Sequence, residues 1–340
     1  MRSKLLMASL IGLFSLSISF LPLLASEKIF HIGITQFVDH PALNAIRNGF
    51  IDAMAEEGYV DGKNVIYDFQ NAQGDMSTAL TIIRKFVSEK VDLIVTITTP
   101  STQAALQATS SIPIVFTGIG ANPVDVGVVK SLESSGNNAT GVFVAVPLRE
   151  DLRLIKEIVP EAKAVGTIYN AGQDNSVAQI KLARKVCKGM KLNLVEATVS
   201  NSNDVLLAAQ SLVGRCDAVY LCQDNTVFSA IDAVVKVTND NHIPLVIADP
   251  TTAEHGALLA LGFNQYEWGR QTAPVAIKVL KGTKPADIPV KPMKGLQLVI
   301  NLDTAKRIGI PTLSLLSTCE RFAEKLRKEG KKVKIKKIGE

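Results

Sequence analysis

The sequence predicts an α/β protein built from two Rossmann-like, doubly wound lobes joined by a three-segment hinge. From Lys28 onward, apolar β-branched segments alternate with segments of helical periodicity, which is the pattern of a parallel sheet covered by helices. The order of these segments repeats in the second half of the chain, which indicates a duplicated unit. The chain has 340 residues, 47% of them hydrophobic and 20% charged, which is enough to form two cores.

The first half is predicted to alternate five strands with four helices. A helix at 41–57 is indicated by the spacing of Ala42, Ile46, Phe50 and Met54 on one face, and Asp75 is placed to cap the helix at 76–88. The run LIVTI at 93–97 is apolar and β-branched, as expected of a buried strand. The strands are expected at 30–36, 64–70, 93–98, 112–117 and 141–146, and the helices at 41–57, 76–88, 100–108 and 122–132.

The second half repeats this order, and short blocks agree residue by residue. VDLIVTITTPST aligns with CDAVYLCQDNTV, which pairs Thr99 with Asp224, and IPIVFTG aligns with IPLVIAD, which pairs Gly118 with Asp249. Two facing copies of one unit are therefore expected. The second-half strands are predicted at 164–169, 192–197, 218–221, 243–247 and 258–262, and the helices at 175–188, 204–212 and 226–238.

The remaining chain is too short for a third lobe, so it is expected to pass back to the first lobe and return to the second. It contains a predicted helix at 266–281, a proline-rich crossing at 284–292, a strand at 296–302 and a short helix at 303–308. The hinge would then consist of segments near Val146, Phe263 and Asp287. The first lobe would comprise 28–146 with 264–286, and the second 147–263 with 287–310.

The two ends of the chain are expected to lie outside these lobes. Arg2 and Lys4 precede an apolar run at 5–24, so residues 1–25 are predicted to be a cleaved signal peptide of a periplasmic protein. The length of the run leaves a retained membrane anchor open, and no lipid-anchoring cysteine follows it. Residues 311–340 form a basic extension and carry much of the net charge of +5. We expect this end to be solvated and partly disordered, with no role in nucleic-acid binding.

The residues that catalysis or a cofactor would need are not arranged in any usable pattern. The sequence contains no GxGxxG, no GxxxxGK[ST] and no Gly-x-Ser-x-Gly motif, and its four histidines are scattered. The four cysteines match no zinc spacing, although the residues leave open whether Cys187 and Cys216 form a disulfide or remain free thiols. We therefore expect a binding protein that has no metal, no cofactor and no enzymatic activity.

The candidate binding residues are those that follow the carboxyl ends of the predicted strands, where open parallel sheets bind ligands. The first lobe would offer neutral hydroxyls and a helix N-terminus, with Thr99 as N-cap and Pro100 at the first helical position. The second lobe would offer two carboxylates. The first-lobe residues are Gln36, Phe37, Thr99, Ser101, Thr117 and Gly118, and the second-lobe residues are Asn170, Asp224, Asn225 and Asp249.

This asymmetry suits a small zwitterion. Its α-carboxylate would be held by Thr99, Ser101 and Thr117, and its α-ammonium by Asp224 or Asp249. Simpler interpretations remain open at this stage, since Asp224 can cap a helix and Asp249 can stabilise a turn.

The side-chain pocket is harder to predict than the charged ends. Phe37, Val38 and Phe143 are candidates for its apolar wall, although Phe37 can equally be a core residue. His40 is expected only to start a helix, and Trp268 is expected on an outer helix. A sugar is the less favoured ligand, because only 5% of the residues are aromatic.

A series of motifs in order resembles the bacterial ABC-transporter substrate-binding family, more narrowly its tryptophan/tyrosine-type binding proteins. The resemblance spans about 30–310 and rests on HPALNAIRNGF, NAQGDMSTA, IPIVFT, EATVSNSNDV, DNTV, KPADIPV and LVINLDTAKRIGI, among others. It implies a type I periplasmic-binding fold and an aromatic amino acid as ligand. It also implies delivery to a membrane permease and its ATPase, and we expect a monomer.

The resemblance also bears on individual residues. Related branched-chain amino acid binders hold the ligand carboxylate with hydroxyls at positions resembling Thr99, Ser101 and Thr117, and the ammonium at a position resembling Asp249, more loosely Asp224. Asn122 departs from the family pattern, as does the stretch from Asp249 to Thr251, so the identity of the ligand stays open. A sugar, a nucleoside or a ligand-presenting role for a sensor are the alternatives.

Overall fold

The computed structural model describes residues 28–339, so the signal peptide predicted for 1–25 lies outside the described residues. The first half contains strands and helices in alternation, followed by a short link into the second half. In order, these elements are β1 (Phe30–Gln36), α1 (Pro41–Glu56), β2 (Val65–Asn71), α2 (Met76–Ser88), β3 (Leu93–Ile97), α3 (Thr99–Ala108), β4 (Ile114–Ile119) and β5 (Ala139–Phe143).

The second half begins with a helix and then repeats the alternation. Its elements are α4 (Leu148–Ile158), β6 (Ala164–Asn170), α5 (Asp174–Gly189), β7 (Asn193–Val199), α6 (Val205–Leu212), β8 (Ala218–Leu221), α7 (Asn225–Phe228), α8 (Ile231–Asp240), β9 (Leu245–Ile247) and β10 (Leu259–Gly262). The remaining chain forms α9 (Gln265–Leu280), β11 (Lys291–Pro292), β12 (Leu296–Asn301), α10 (Leu302–Arg307), α11 (Thr312–Lys328) and β13 (Val333–Ile338).

These strands form two sheets, and the order of the first five strands is the same in both. The first sheet runs β11-β5-β4-β3-β1-β2 and the second β13-β12-β10-β9-β8-β6-β7. Pairing is parallel throughout, except that β10 and β12 are antiparallel. The shared order confirms the duplicated α/β fold that the repeated motifs predict. We call the first sheet with α1, α2, α3 and α9 lobe 1, and the second sheet with its helices lobe 2.

The chain passes between the lobes three times, at 144–147, 263–264 and 293–295. The expected third crossing near Asp287 is wrong, because Lys291 and Pro292 still pair with β5 of lobe 1. The backbone just after Asp287 is held there as well, since the Ile288 carbonyl accepts a hydrogen bond from Thr140 Oγ1 at 2.8 Å.

Two of the other predicted elements also differ from the structure, and the helix that opens the second half was missed. The helix expected at 122–132 is a series of turns, in which Gly127 adopts a φ of +70° that ends any helical run. The helix expected at 226–238 is divided into α7 and α8. Helix α4 was not predicted at all, although Leu148, Leu152 and Ile155 are buried at helical spacing.

The basic end is the largest correction to the predicted organisation. It is not a partly disordered tail: β13 pairs in parallel with β12 and extends the sheet of lobe 2. Along α11, Cys319, Phe322 and Leu326 are buried in the core, and Lys325 forms an ion pair with Glu157 at 2.7 Å. The abundance of lysine conceals a stripe of apolar residues at helical spacing.

A buried carboxyl group in lobe 2 leads to a testable prediction about stability. Asp151 on α4 is fully buried, accepts a hydrogen bond from Tyr220 Oη at 3.2 Å, and leaves its Oδ1 without a partner among the described residues. Burial raises the pKa of Asp151 well above its ordinary value. Because the folded-state pKa exceeds the unfolded one, the charged form opposes folding at pH 7, and stability rises as the pH falls.

We therefore expect Asp151→Asn to be more stable than the wild-type protein at pH 7. A gain of about 1 kcal/mol, which is typical of a stabilising substitution, raises the Tm by about 2–4 °C. Thermal unfolding at pH 7 and at pH 4 measures this, and the difference between the proteins should shrink at the lower pH. A variant that is less stable at pH 7 would contradict the assignment.

Candidate functional site

A small inter-lobe cavity, with a volume of about 30 Å³, lies at the carboxyl ends of the strands of both sheets. Small-molecule sites have volumes of roughly 300–1,000 Å³, so the lobes must move apart to admit a ligand of that size. Lobe 1 contributes His40, Ala42, Leu43, Ile46, Gly118, Gly120, Gln265 and Trp268, and lobe 2 contributes Asn175, Gln223, Asn225, Phe228 and Asp249. Three of the ten residues predicted from the sequence, Gly118, Asn225 and Asp249, border it directly.

The apolar part of the cavity comes from helices rather than from the phenylalanines expected there. Leu43 and Ile46 of α1 line it together with Trp268 of α9. The expected outer position of Trp268 is wrong: α9 packs against α1, the indole is 1% exposed, and its Nε1 donates to the Val142 carbonyl at 3.0 Å. Phe37 and Phe143 instead belong to the core of lobe 1.

Unpaired hydroxyls surround the N-terminus of α3. Thr98, not Thr99, is the N-cap, and its φ of +97° is unusual for a β-branched residue. The Oγ atoms of Thr98, Thr99 and Ser101 are buried and have no partner among residues 28–339. Leaving such a group unsatisfied costs about 1–3 kcal/mol, so these hydroxyls point to a polar ligand group at this helix N-terminus.

Thr98, Thr99 and Ser101 do not line the cavity themselves, but they lie next to a residue that does. Gly118 borders the cavity, and a Cβ built on it would lie 3.1 Å from the Thr98 amide nitrogen. Gly118 itself adopts a φ of +69°, which favours glycine. The start of α3 and the end of β4 therefore form one continuous wall.

Two other lobe 1 candidates already have partners. Thr272 Oγ1 donates to Thr117 Oγ1 at 3.1 Å, and Thr117 lies outside the cavity lining. Gln36 donates through Nε2 to the Val38 carbonyl and to Asn44 Oδ1, both at 2.9 Å, although its Oε1 is buried without a described partner. Thr117 and Gln36 thus support the strand ends around the cavity.

Asp224 acts as a structural residue in lobe 2. Its Oδ1 accepts from the Val227 amide and caps α7, and its Oδ2 accepts from the Asn170 amide and from Ser176 Oγ, both at 2.6 Å. Neither Asp224 nor Asn170 borders the cavity. The capping role, which the sequence left open, is the one that the geometry supports.

Asp249 is the carboxylate that borders the cavity. It is 1% exposed and accepts hydrogen bonds from the Thr251 amide at 2.9 Å, from Gln265 Nε2 at 3.1 Å and from Thr252 Oγ1. Burial raises the pKa of Asp249 above its ordinary value, and these hydrogen bonds oppose that shift. A buried carboxylate held in this way favours a cation beside it.

The lobes also contact each other across the cavity. Gln103 Nε2 on α3 donates to Asp174 Oδ2 on α5 at 2.7 Å, and the rings of His40 and Phe228 lie 6.2 Å apart. A Cβ on Gly120 would be 2.3 Å from Gln223 Oε1 and 3.2 Å from Gln223 Cβ, so Gly120 of lobe 1 lies in close contact with Gln223 of lobe 2. The two lobes are therefore closed on each other.

Sequence reasoning missed several of the lining residues. Gln223 and Asn175 lie close in sequence to Asp224 and Asn170, which were predicted instead. Gln265 lies at the start of α9, which nothing in the sequence places near the cavity. His40 starts α1 as predicted, yet it also borders the cavity.

Other kinds of site find no support in the part of the chain that the structure describes. Residues 28–339 contain no group of three or more His, Cys, Asp or Glu side chains able to hold a metal ion. All four cysteines are free thiols. Among the same residues, no helix combines the length and apolar character that a membrane span requires.

Comparison with protein families and known proteins places this geometry in context. The family model described as "ABC transporter substrate binding protein" matches residues 31–319. A "Tyrosine-binding protein" of Clostridioides difficile (strain R20291) is 41% identical over 289 residues, which cover 85% of this chain and 84% of that protein.

Solved structures show the same fold and distinguish two arrangements of the lobes. An ABC domain from Streptococcus pneumoniae in complex with L-Trp is 32% identical, with a TM-score of 0.81 over 86% of this chain and 98% of that one. The ligand-free, open structure of a Clostridium difficile substrate binding protein is 40% identical but has a TM-score of only 0.64, over 83% and 96%. The better fit to the less identical, ligand-bound structure agrees with the closed lobes.

Proposed function

Because the chain belongs to the family of ABC transporter substrate-binding proteins, a non-enzymatic family, we propose that it binds a free aromatic amino acid between its lobes. The observation that carries this proposal is the pairing of an apolar wall, formed by Leu43, Ile46 and Trp268, with the buried carboxylate of Asp249 in one closed cavity. This lining offers an apolar surface to a side chain and a negative charge to an ammonium group.

We assign each charged end of the ligand to the polar groups that remain available to it at the cavity. The α-ammonium lies beside Asp249, because Asp224 is occupied in capping α7 and does not border the cavity. The α-carboxylate lies at the N-terminus of α3, where Thr99 and Ser101 supply unpaired hydroxyls and the helix supplies a partial positive charge. Thr117 is a less suitable carboxylate partner because Thr272 already contacts it.

The named relatives support the aromatic class. One is called a tyrosine-binding protein and another was solved with L-Trp. We further propose that the protein is exported to the periplasm by the segment at 1–25, acts as a monomer, and passes its ligand to an ABC permease driven by an ATPase.

Calorimetric titration of the purified protein with L-tyrosine, L-tryptophan, myo-inositol and a nucleoside tests the proposed ligand class. The aromatic amino acids should bind, and each should stabilise the protein by ~2.7 kcal/mol when present at 100 times its Kd. Binding of myo-inositol or the nucleoside, with no response to either amino acid, would refute the proposal.

The carboxylate contacts lead to a separate prediction. The double substitution Thr99→Val with Ser101→Ala should weaken L-tyrosine binding by about 10- to 150-fold, because a hydrogen bond to a charged group contributes about 1.5–3 kcal/mol. Tyramine, which lacks the carboxylate, should bind the wild-type protein and the variant equally. Thr81→Ala, an exposed change on α2, is the control and should alter neither affinity. An equal loss for both ligands would show that the hydroxyls do not contact the carboxylate.

A further inference from the structure

His40 is a buried polar side chain on the cavity that forms no hydrogen bond to the described protein. It precedes Pro41 at the start of α1, is 7% exposed, and lines the cavity. Both Nδ1 and Nε2 are buried without a partner among residues 28–339. Burial lowers the pKa of His40 to about 4, so the ring is neutral at physiological pH and offers one donor and one acceptor.

The helix does not need these nitrogens. His40 makes no side-chain capping bond to α1, and Pro41 already supplies a backbone angle suited to the first helical turn. A buried and unpaired polar group costs about 1–3 kcal/mol. The position of the imidazole is therefore better explained by a polar group within the cavity than by the fold.

The other polar side chains of the cavity differ from His40 in this respect. The amide nitrogens of Asn225, Gln223 and Asn175 all donate to protein oxygens. Only the Oδ1 of Asn175 is a buried acceptor without a described partner. His40 is thus the polar lining side chain for which neither polar atom has a partner among the described residues.

Strand order separates His40 from the proposed carboxylate position. That position is the start of α3, which follows β3, whereas His40 follows β1, the neighbouring strand on the side of β3 away from β4. The ends of β3 and β1 are one strand spacing apart, about 5 Å, and His40 lies beyond the end of β1 at the start of α1. An aromatic amino acid whose carboxylate lies at the start of α3 and whose side chain extends toward α1 would bring the polar atom of its ring to the region of His40.

We propose that His40 hydrogen-bonds the polar atom on the aromatic ring of the ligand, and so selects a ring that carries a hydroxyl or an N–H over an unsubstituted one. The protein would then prefer tyrosine and tryptophan to phenylalanine. This inference rests on the proposed function, since it requires an aromatic amino acid in the cavity. A site built around a hydrogen bond rejects the analogue that lacks it, because the buried group is left unpaired.

Calorimetric titration with L-tyrosine, L-tryptophan and L-phenylalanine tests the selection, using the wild-type protein, His40→Phe and His40→Gln. The wild-type protein should bind L-phenylalanine about 10- to 150-fold more weakly than the better of the other two ligands. His40→Phe should abolish this preference by weakening the polar ligands while L-phenylalanine stays within about three-fold. His40→Gln, which keeps a donor and an acceptor, should restore part of the preference.

The control is His31→Phe, an exposed change on β1 of the same lobe, which should leave all three affinities unchanged. Equal wild-type affinities for the three amino acids, or a preference that survives in His40→Phe, would overturn the role of His40 and leave the proposed function standing. Failure of the wild-type protein to bind any of the three would instead refute the proposed function. If His40→Phe does not fold, the wild-type preference and His40→Gln still decide the question.

Discussion

Asp249→Asn should lose most of its affinity for an aromatic amino acid while remaining folded. A charged hydrogen bond contributes about 1.5–3 kcal/mol, so the Kd should rise by about 10- to 150-fold. Because burial raises the pKa of Asp249, its charge does not favour folding of the unliganded protein. We therefore expect the unliganded variant to unfold at a temperature no lower than that of the wild-type protein.

Thermal unfolding with and without L-tyrosine separates these effects. At a concentration 100 times the wild-type Kd, the wild-type protein gains ~2.7 kcal/mol, whereas a variant with 100-fold weaker binding gains only ~0.4 kcal/mol. Asp224→Asn is the matched control: it disrupts the cap of α7 and the bonds from Asn170 and Ser176, so it should mainly lower stability. The opposite result, with affinity lost only in Asp224→Asn, would transfer the ammonium site to Asp224.

Gly269→Ala should destabilise the protein by at least 1–3 kcal/mol, the usual range for overpacking. A Cβ on Gly269 of α9 would lie 1.9 Å from the Ile46 carbonyl oxygen and 2.7 Å from the Phe50 amide nitrogen of α1. The contact is reciprocal, since a Cβ on Gly49 of α1 would lie 2.0 Å from the Tyr266 carbonyl oxygen. Backbone atoms form both obstacles, so the two helices themselves must separate.

The same substitution should also weaken ligand binding, because Ile46 and the neighbouring Trp268 both line the cavity. Gly189→Ala at the end of α5 is the control: nothing lies within 4 Å of its added Cβ, so stability should stay the same or rise by up to about 1 kcal/mol. Denaturant unfolding of both variants gives the two free energies. Equal stabilities would mean that α1 and α9 do not pack through these glycines.

The repeated strands were accessible from the sequence because burial on both faces imposes a local signature. LIVTI at β3 and AVYL at β8 are buried along their whole length, and a run of apolar β-branched residues indicates this without knowledge of the neighbours. A buried apolar stripe is harder to recognise in a sequence when charged residues surround it. Cys319, Phe322 and Leu326 form an equally regular buried stripe, yet the surrounding lysines made the C-terminal end look solvated.

The binding residues also fall into two groups: those that the local sequence pattern indicates and those that only tertiary contacts identify. The sequence by itself determined two duplicated lobes, a cleft at their strand ends, and Gly118, Asn225 and Asp249 as residues bordering it, because strand ends are defined by local pattern. Only the tertiary structure decided that Trp268 and His40 face the cavity and that Asp224 caps a helix. These roles depend on how α9 packs against α1 and on which donors reach each carboxylate, and both are contacts between residues far apart in the chain.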